Sequence, residues 1–140
     1  MKIILDTIQH RYPFLLVDRI LKFIKNNLIV AIKNVTINES YFQGHFPIEK
    51  IVPGVLMIES IAQTAGIFLS KNNESTKLCK PYYLVGIDKT KFKQFVVPGD
   101  QMIITVVLDK SKKGFYIFKG IITVDNKMVC KSTLTCMNYN

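Results

Sequence analysis

Two ionisable side chains stand out in the sequence because their neighbours favour proton transfer. The first is His45, one of only two histidines, which follows Gly44 and precedes Phe46-Pro47. Glycine permits unusual backbone angles and proline fixes the next turn, so we expect this loop to hold the imidazole in place. Histidine readily takes and gives a proton near neutral pH. The pattern therefore favours a general base, whereas a histidine in a loop, taken alone, is more often structural.

The second is Glu59, a single carboxylate within the apolar run of residues 53–69. An ionised carboxylate is costly to bury unless it is paired, hydrogen-bonded or protonated. Gln63 follows one helical turn later on the same face and can donate a hydrogen bond to it. Glu59 is therefore a candidate acid. The alternative is a carboxylate that meets a lysine at a dimer interface.

Gly54 adds a third chemical group, a backbone amide at the start of the same run. An N–H group in the first turn of a helix has no partner and lies at the positive end of the helix dipole, and glycine has no side chain to block an approaching carbonyl oxygen. Such a group can stabilise negative charge on oxygen. An ordinary helix start is the alternative.

The elements that must position these groups are one helix and about six strands. Residues 53–69 are apolar on nearly every face and predict a buried helix, and the polar residues 70–80 predict a loop. Runs rich in β-branched and aromatic residues predict strands at 14–24, 28–35, 82–87, 101–109, 115–124 and 127–137.

The fold class predicted from these elements is α+β. Short turns at 25–27, 112–114 and 125–126 favour antiparallel pairing, so we expect a curved sheet wrapped around the helix. Ala62, Ala65 and Gly66 are small, as needed where helix and sheet backbones approach closely. One small sheet leaves its edges unprotected, which favours a side-by-side dimer.

Composition sets limits on the class of protein. The 140 residues, of which 49% are hydrophobic, predict a single domain spanning 1–140. The net charge of +9 comes mainly from lysine, since only Arg11 and Arg19 are arginines, and this is a poor pattern for binding nucleic acid. It suits an acidic partner protein, although an A/T-rich genome would give the same bias.

The cysteines and the hydropathy pattern bear on location. Cys79, Cys130 and Cys136 are odd in number and lack the spacing of a metal site, and we identify no signal-peptide pattern. We therefore expect a reduced, cytoplasmic compartment. No apolar run reaches the ~20 residues of a spanning helix, so we expect no insertion into a membrane.

Five segments resemble one protein family in order and spacing. They are HRYPFLLVDRI (10–20), GHFP (44–47), PGVLMIESIAQTAG (53–66), GIDKTKF (86–92) and VVPGDQM (96–102). Together they closely resemble the 3-hydroxyacyl-(acyl-carrier-protein) dehydratases of the FabZ type. The similarity covers nearly the whole chain, from about residue 6 to residue 137.

This resemblance implies a hotdog fold and a dimer with two active sites at the subunit interface, commonly assembled as a trimer of dimers. It assigns His45 as the catalytic histidine, Glu59 as the acid contributed by the partner subunit, Gly54 as the amide that polarises the thioester carbonyl, and Gln63 as the residue that steadies the acid. The implied reaction removes water from a (3R)-3-hydroxyacyl group on acyl carrier protein to give the trans-2-enoyl product, in the elongation cycle of type II fatty acid biosynthesis. We expect no metal or cofactor beyond the phosphopantetheine arm of the substrate.

Further residues are candidates for holding the substrate. Phe46, Ile58 and Ile61 are candidate walls of an apolar acyl tunnel along the helix, although they could equally be core. Residues 48–52 depart from the usual family pattern, which has a proline in the third position where this chain has Lys50, so we expect a less rigid loop.

A cluster of lysines lies near the expected tunnel mouth. Its members, which could dock the acidic carrier protein or simply form a solvated charged strand, are Lys89, Lys91 and Lys93.

Other functions remain possible on the same fold. A related dehydratase that also isomerises the enoyl product usually has Asp in place of Glu59 and lacks the HRYPFLLVDR opening. A thioesterase would have no use for the histidine loop. A non-catalytic acyl-binding protein would not need both His45 and Glu59.

Overall fold

The computed structural model describes residues 1–74 and 81–138. In these residues the elements, in chain order, are α1 (Lys2–Thr7), β1 (Arg19–Ile24), β2 (Leu28–Asn34), a 3₁₀ helix (Ser40–Gln43), α2 (Gly54–Asn72), β3 (Tyr82–Phe92), β4 (Gln101–Lys112), β5 (Phe115–Val124) and β6 (Lys127–Asn138). The strands form one antiparallel sheet in the order β1-β2-β4-β5-β6-β3, and α2 packs against it. The predicted α+β hotdog architecture is confirmed.

The predicted tight turns join neighbouring strands, as expected. Asn26 between β1 and β2, and Asp125 with Asn126 between β5 and β6, have positive φ angles, which Asn and Asp tolerate better than most residues. Lys113 and Gly114 do the same between β4 and β5. Two consecutive residues with positive φ, as in the β4–β5 and β5–β6 turns, match the twist of a hairpin. With the β1–β2 turn, where Asn26 alone has positive φ, short local turns connect three of the five strand pairings.

The first predicted strand is wrong in its first half, because only its second half, β1, pairs in the sheet. Asp18 N–H still donates to Ile32 O of β2 at 2.7 Å, but the backbone at Phe14 and Leu16 bonds to a side chain instead of a neighbouring strand. Leu16 N–H donates to Gln63 Oε1 at 2.8 Å, and Phe14 O accepts from Gln63 Nε2 at 2.7 Å. A β-rich composition could not reveal this competition, since the partner lies on α2.

The predicted helix begins as expected, with Pro53 as the N-cap of α2, but its end changes. The helix α2 continues through Asn72, so the predicted loop is wrong for residues 70–72, and Ser70 is buried. The rest of that predicted loop, from residue 75 on, lies outside the described residues. The short helix α1 was not predicted. Among the described residues, no helix is long and apolar enough to cross a membrane.

The hydrophobic core lies between α2 and the concave face of the sheet. From α2 it includes Met57, Ile58, Ile61, Ala65, Ile67, Phe68 and Leu69, and from the sheet Ile29, Ala31, Ile104, Val106, Phe118, Ile122 and Leu134. In β6 the predicted alternation is present, since Ser132, Leu134 and Cys136 are buried and the residues between them are more exposed. The long helix is buried on nearly all sides, as its composition requires.

Helix and sheet approach each other closely at a glycine on the sheet. A Cβ atom placed on Gly120 of β5 would lie 2.2 Å from Ile61 Cγ2, which is far inside van der Waals contact. Ala65 of α2 is fully buried, whereas Gly66 faces Ile8 in the segment after α1. Of the small residues on the helix, Ala65 therefore lies in the core and Gly66 lies against the segment after α1. The sequence analysis did not identify Gly120.

Candidate active site

The loop that carries His45 runs from the 3₁₀ helix to the start of α2 and holds the imidazole by backbone groups. His45 N–H donates to Tyr41 O at 3.0 Å, and Ile51 N–H donates to His45 O at 3.2 Å. On the ring, Nδ1 lies 2.7 Å from Ile51 O. A carbonyl oxygen can only accept, so Nδ1 carries the hydrogen and Nε2 is left with a free lone pair.

The expected role of Gly44 in shaping this loop is wrong. Gly44 has φ −113° and ψ −16°, which any residue adopts, and a Cβ atom added there would meet nothing within 4 Å. Lys50 supplies the support instead, since its Nζ donates to Phe42 O at 2.7 Å and to Pro47 O at 3.3 Å. The lysine at the position where the family usually has proline thus joins the two ends of the histidine segment.

A nearly buried ion pair anchors the start of the same loop. Lys33 on β2 donates to Glu39 Oε1 at 2.6 Å and lies 3.7 Å from Asp18 Oδ2. Burial, aided by the carboxylates of Glu39 and Asp18, raises the pKa of Tyr41, so its phenol stays neutral. The ion pair between Lys33 on β2 and Glu39 therefore fixes the start of the loop against the sheet.

His45 lines an open, mainly apolar pocket of about 450 Å³. Phe46 lines it as predicted and stacks on the imidazole, with ring centroids 4.0 Å apart. Ile58 and Ile61 are buried in the core and are not among the lining residues, because their side of α2 packs on the sheet. The remaining lining residues are Ile51, Val52, Gly54, Val55, Met57, Phe92, Gln94 and Phe95.

Gly54 presents its amide to the same pocket. It is the first residue of α2, after Pro53 at the N-cap, and its N–H has no acceptor in the part of the chain that the structure describes. A Cβ atom on Gly54 would lie 2.9 Å from the ring of Phe92, so this position has no room for a side chain. A side chain here would therefore displace the half-exposed ring of Phe92, and the free N–H of Gly54 is a donor beside His45.

Glu59 sits on a different face of α2, where side chains hold it. Its side chain is 20% exposed. Gln63 Nε2 donates to Glu59 Oε1 at 2.9 Å, which is the predicted contact one turn apart. His10 Nε2 lies 3.3 Å from the same oxygen. The sequence analysis missed His10, although it is the chain's other histidine and opens one of the quoted segments.

A single chain does not bring His45 and Glu59 into one cavity. Glu59 is not among the residues lining the His45 pocket, and its neighbours His10 and Gln63 line a separate small cleft with Ala62 and Gly66. The candidate base and the candidate acid therefore open to different surroundings within one protomer.

The three lysines of the predicted docking cluster are exposed. Lys93 lines a second pocket, of about 240 Å³, together with Phe92, Gln94 and Phe95, which also line the His45 pocket. Lys89 has φ +48° and lies in a bulge between Asp88 and Lys91, where β3 takes three steps against two on β6. Of the three lysines, Lys93 is the one that lines this neighbouring pocket.

The described cysteines are free and unreactive in character. Burial raises the pKa of Cys130 to about 11, and burial with a smaller contribution from the Glu59 carboxylate raises that of Cys136 to about 12. Within residues 1–74 and 81–138, no three His, Cys, Asp or Glu side chains are grouped so as to hold a metal ion.

Comparison with known proteins gives consistent matches. Residues 8–133 match the model of the FabA-like domain. The chain is 49% identical over 133 residues to proteins from Erwinia tasmaniensis and Klebsiella pneumoniae named 3-hydroxyacyl-(acyl-carrier-protein) dehydratase FabZ, covering 95% of this chain and 88% of each relative. A solved dehydratase heterocomplex, ApeI:P from Xenorhabdus doucetiae, matches with a TM-score of 0.81 at 17% identity, over 98% of this chain and 91% of that one.

Proposed function

The chain belongs to the FabA-like family and, within it, to the FabZ-type dehydratases, and from this premise we propose that it dehydrates (3R)-3-hydroxyacyl groups carried on acyl carrier protein. The product is the trans-2-enoyl thioester, and the reaction belongs to the elongation cycle of fatty acid biosynthesis. The observation that carries the proposal is that His45 and the free amide of Gly54 line one apolar pocket, in a chain this similar to named dehydratases.

The first requirement of the reaction is to stabilise charge on the thioester oxygen. The C2 proton of a thioester is weakly acidic, and its removal places negative charge on the carbonyl oxygen. The Gly54 N–H lies at the positive end of the 19-residue helix α2 and has no acceptor among the described residues. A carbonyl oxygen bound there would accept a hydrogen bond from the Gly54 N–H, and this bond would strengthen as negative charge develops on the oxygen.

The second requirement is a base at C2. His45 Nδ1–H is committed to Ile51 O at 2.7 Å, so Nε2 is the nitrogen available to accept a proton. The stacked ring of Phe46 covers one face of the imidazole at 4.0 Å. Both contacts fix the ring plane, which suits a base that must meet one particular C–H bond.

The third requirement is an acid at C3, where hydroxide leaves poorly unless it is protonated. Glu59 fits this role only if it comes from a second chain, because it does not line the His45 pocket of its own chain. Acid and base on opposite sides of C2 and C3 would then be supplied by two protomers.

The surface is suited to such a dimer. β3 is an edge strand that pairs only with β6 in the described sheet, and it exposes Val85 and Ile87. An unpaired edge with exposed apolar side chains favours addition of an identical strand from a second copy. Val55 and Phe95 at the pocket are also strongly exposed in the single chain. A homodimer, assembled further as a trimer of dimers, is the proposed form.

Two parts of the substrate would contact the protein, its apolar acyl chain and its acidic carrier protein. The pocket lining is mostly apolar and suits an acyl chain, and Lys93 in the neighbouring pocket would meet an acidic carrier protein. Neither the bound metal nor the organic cofactor of other enzyme classes is needed for this elimination. The free state of the described cysteines suits a reducing cytoplasm.

The proposal is tested by incubating the protein with a 3-hydroxybutyryl thioester and following the enoyl chromophore. His45→Ala should lower kcat by about 10²- to 10⁴-fold. A His45→Ala protein that remains an intact oligomer and keeps more than about a tenth of the wild-type turnover contradicts the assignment of the base. Chromatography of the product separates a 2-enoyl thioester from the 3-enoyl product of an isomerising dehydratase.

Carrier docking is tested with two substrates of the same acyl chain. Turnover of the carrier-linked substrate should fall steeply between low and physiological salt, because encounter of an acidic partner with the lysines is screened. Turnover of the short free thioester should change little. Equal salt dependence of the two substrates argues against docking through Lys89, Lys91 and Lys93.

A further inference from the structure

Resting on the proposed function, we propose that His10 is a positioning residue for the acid: its Nε2 faces Oε1 of Glu59, to which Gln63 also donates, so that the proton used in the reaction is carried by Oε2. Both nitrogens converge on this one oxygen, at 3.3 Å and 2.9 Å. Oε2 has no protein partner in residues 1–74 and 81–138. The two oxygens of the carboxyl group therefore have distinct roles.

The orientation of the Gln63 amide follows from its other partners. Leu16 N–H donates to Oε1 of Gln63, and Phe14 O accepts from Nε2, so exchanging the oxygen and nitrogen would break both bonds. The second hydrogen on Nε2 then points to Glu59 Oε1. Gln63 is 1% exposed and fully bonded, so it acts as a fixed donor. Because Oε1 of Glu59 accepts this hydrogen bond, a proton on Oε1 facing Gln63 would clash with the amide hydrogen.

The tautomer of His10 follows from the same argument. Since Oε1 accepts from Gln63 and carries no hydrogen, the imidazole nitrogen beside it must be the donor, which places the hydrogen on Nε2. Nδ1 is buried and has no hydrogen-bond partner among the residues that the structure describes. A hydrogen on Nδ1 would be a buried donor without an acceptor, which is costly. The hydrogen that faces Glu59 is therefore on Nε2 of His10, whereas the ring hydrogen that meets a backbone carbonyl in His45 is on Nδ1.

The segment that carries His10 is fixed from both sides. Arg11 donates to three carbonyl oxygens, those of Leu5, Ile8 and His10, and so ties the end of α1 to the backbone of His10. The His10 ring stacks near Phe14, with centroids 6.3 Å apart and an interplanar angle of 23°. Phe14 is itself anchored to Gln63. The residues that aim His10 and those that aim Gln63 thus form one connected network around Glu59.

This arrangement gives the acid a defined direction. In the elimination, His45 Nε2 takes the C2 proton, the C3–O bond breaks, and the leaving oxygen takes the proton from Oε2 of Glu59 and departs as water. The negative charge left on the carboxylate is then stabilised by the two donors on Oε1. Exchange with solvent returns a proton to Oε2 and removes one from His45. Without the His10 contact, Gln63 alone holds Oε1, and the carboxyl group can turn about that single hydrogen bond, so that Oε2 no longer points in one direction.

The test compares two substitutions of His10. His10→Phe keeps a ring beside Phe14 but removes the donor, whereas His10→Gln places an amide N–H where Nε2 lies. We expect His10→Phe to lower kcat about ten- to hundredfold with KM changed less than about threefold, and His10→Gln to restore most of that loss. In the Glu59→Gln background, His10→Phe should cause no further loss, since the acid is already absent.

A second measurement on the wild-type protein does not depend on any variant folding. With only two histidines in the chain, ring ¹⁵N spectra at about pH 8 should show hydrogen on Nε2 of one and on Nδ1 of the other. His10→Gln removes the first set of signals and so assigns it. A His10 ring with its hydrogen on Nδ1 overturns the inference.

The outcomes separate this inference from the proposed function. If His10→Phe keeps wild-type kcat while Glu59→Gln loses about a hundredfold or more, the role of His10 is wrong and the dehydratase assignment stands. If Glu59→Gln keeps wild-type kcat, or the wild-type protein forms no enoyl product, the proposed function itself fails. Equal loss in His10→Phe and His10→Gln would also overturn the role of His10, because the donor would then make no difference.

Discussion

The base and the acid of the proposed reaction are held by opposite means. His45 lies in a loop and is oriented by backbone carbonyls only a few residues away, such as Ile51 O at 2.7 Å. Glu59 lies in the middle of a long buried helix and is oriented by side chains, of which His10 comes from 49 residues earlier in the chain. One group depends on local backbone geometry, and the other on tertiary packing.

This difference predicts which substitutions should disturb each of the two groups. The imidazole should tolerate changes in distant side chains as long as the loop keeps its shape. The carboxyl group should respond to substitutions at buried positions that never touch substrate, because its donors are themselves held by a buried network.

The largest effect is expected when two inactive variants are combined. His45→Ala and Glu59→Gln are each expected to lose about 10²-fold or more of kcat. If each site takes its base from one protomer and its acid from the other, a random mixture refolded or expressed together should recover about a quarter of the wild-type activity. Half of the dimers would be mixed, and each mixed dimer would have one intact site.

The control for this mixture is a chain carrying both substitutions. Combined with His45→Ala, it should restore nothing, because no site would then contain both groups. Absence of recovery in the first mixture, with mixed oligomers demonstrated by mass spectrometry, contradicts the shared site.

Gln63→Leu should cause the next largest change and damage the acid half alone. It removes a donor to Glu59 and leaves Phe14 O and Leu16 N–H without partners, which costs about 1–3 kcal/mol for each group that stays buried. We expect kcat to fall about ten- to hundredfold and the free energy of unfolding in urea to drop. Ser60→Ala is the matched control, since its buried hydroxyl bonds only to its own helix at Leu56 O.

Gly54→Ala should lower kcat by about tenfold, on the base side of the site. The added methyl group would meet the half-exposed ring of Phe92 at 2.9 Å, and the ring can move only by entering the pocket or by opening its wall. Gly44→Ala is the control, because open space surrounds that position and its φ is ordinary. Equal losses in the two variants would mean that loop backbone freedom, rather than contact with Phe92, is what matters.

Lys50→Met should have a smaller effect, about three- to tenfold in kcat/KM, by releasing the histidine loop. The substitution keeps the aliphatic stem and removes the two bonds to Phe42 O and Pro47 O. Lys22→Met removes the same charge from an exposed position on β1 and should leave kcat/KM unchanged on a free thioester. A loss in both variants would point to net charge instead of loop support.

The buried thiols should have the smallest effect. At neutral pH both Cys130 and Cys136 stay protonated, so brief treatment with iodoacetamide should leave them unmodified by peptide mass mapping. Their pKa values lie above the ordinary value of 9.0 in the folded chain. Above about pH 9 the unfolded chain therefore loses thiol protons first, and the free energy of unfolding falls until about pH 11 to 12. Cys130→Ala with Cys136→Ala should show a shallower decline, whereas an equal decline would assign it to other groups.

The sequence alone determined most of the scaffold and the local part of the site. The period of two in β6, the turn residues at 125–126 and the all-round apolar helix gave elements that the structure contains, because each depends on contacts between residues close in the chain. The contact between Glu59 and Gln63 was predictable for the same reason, since one helical turn separates them.

Tertiary structure decided which side chains meet across distant segments. Only packing shows that His10 reaches Glu59, that residues before β1 bond to Gln63 instead of a strand, and that the close approach to α2 requires Gly120. Ile58 and Met57 are neighbours on one apolar helix, and both are buried. Composition cannot show that Met57 also lines the pocket while Ile58 does not. Periodicity reports the surroundings of a residue averaged over its own element, whereas a site is built from specific partners that the fold brings in from elsewhere.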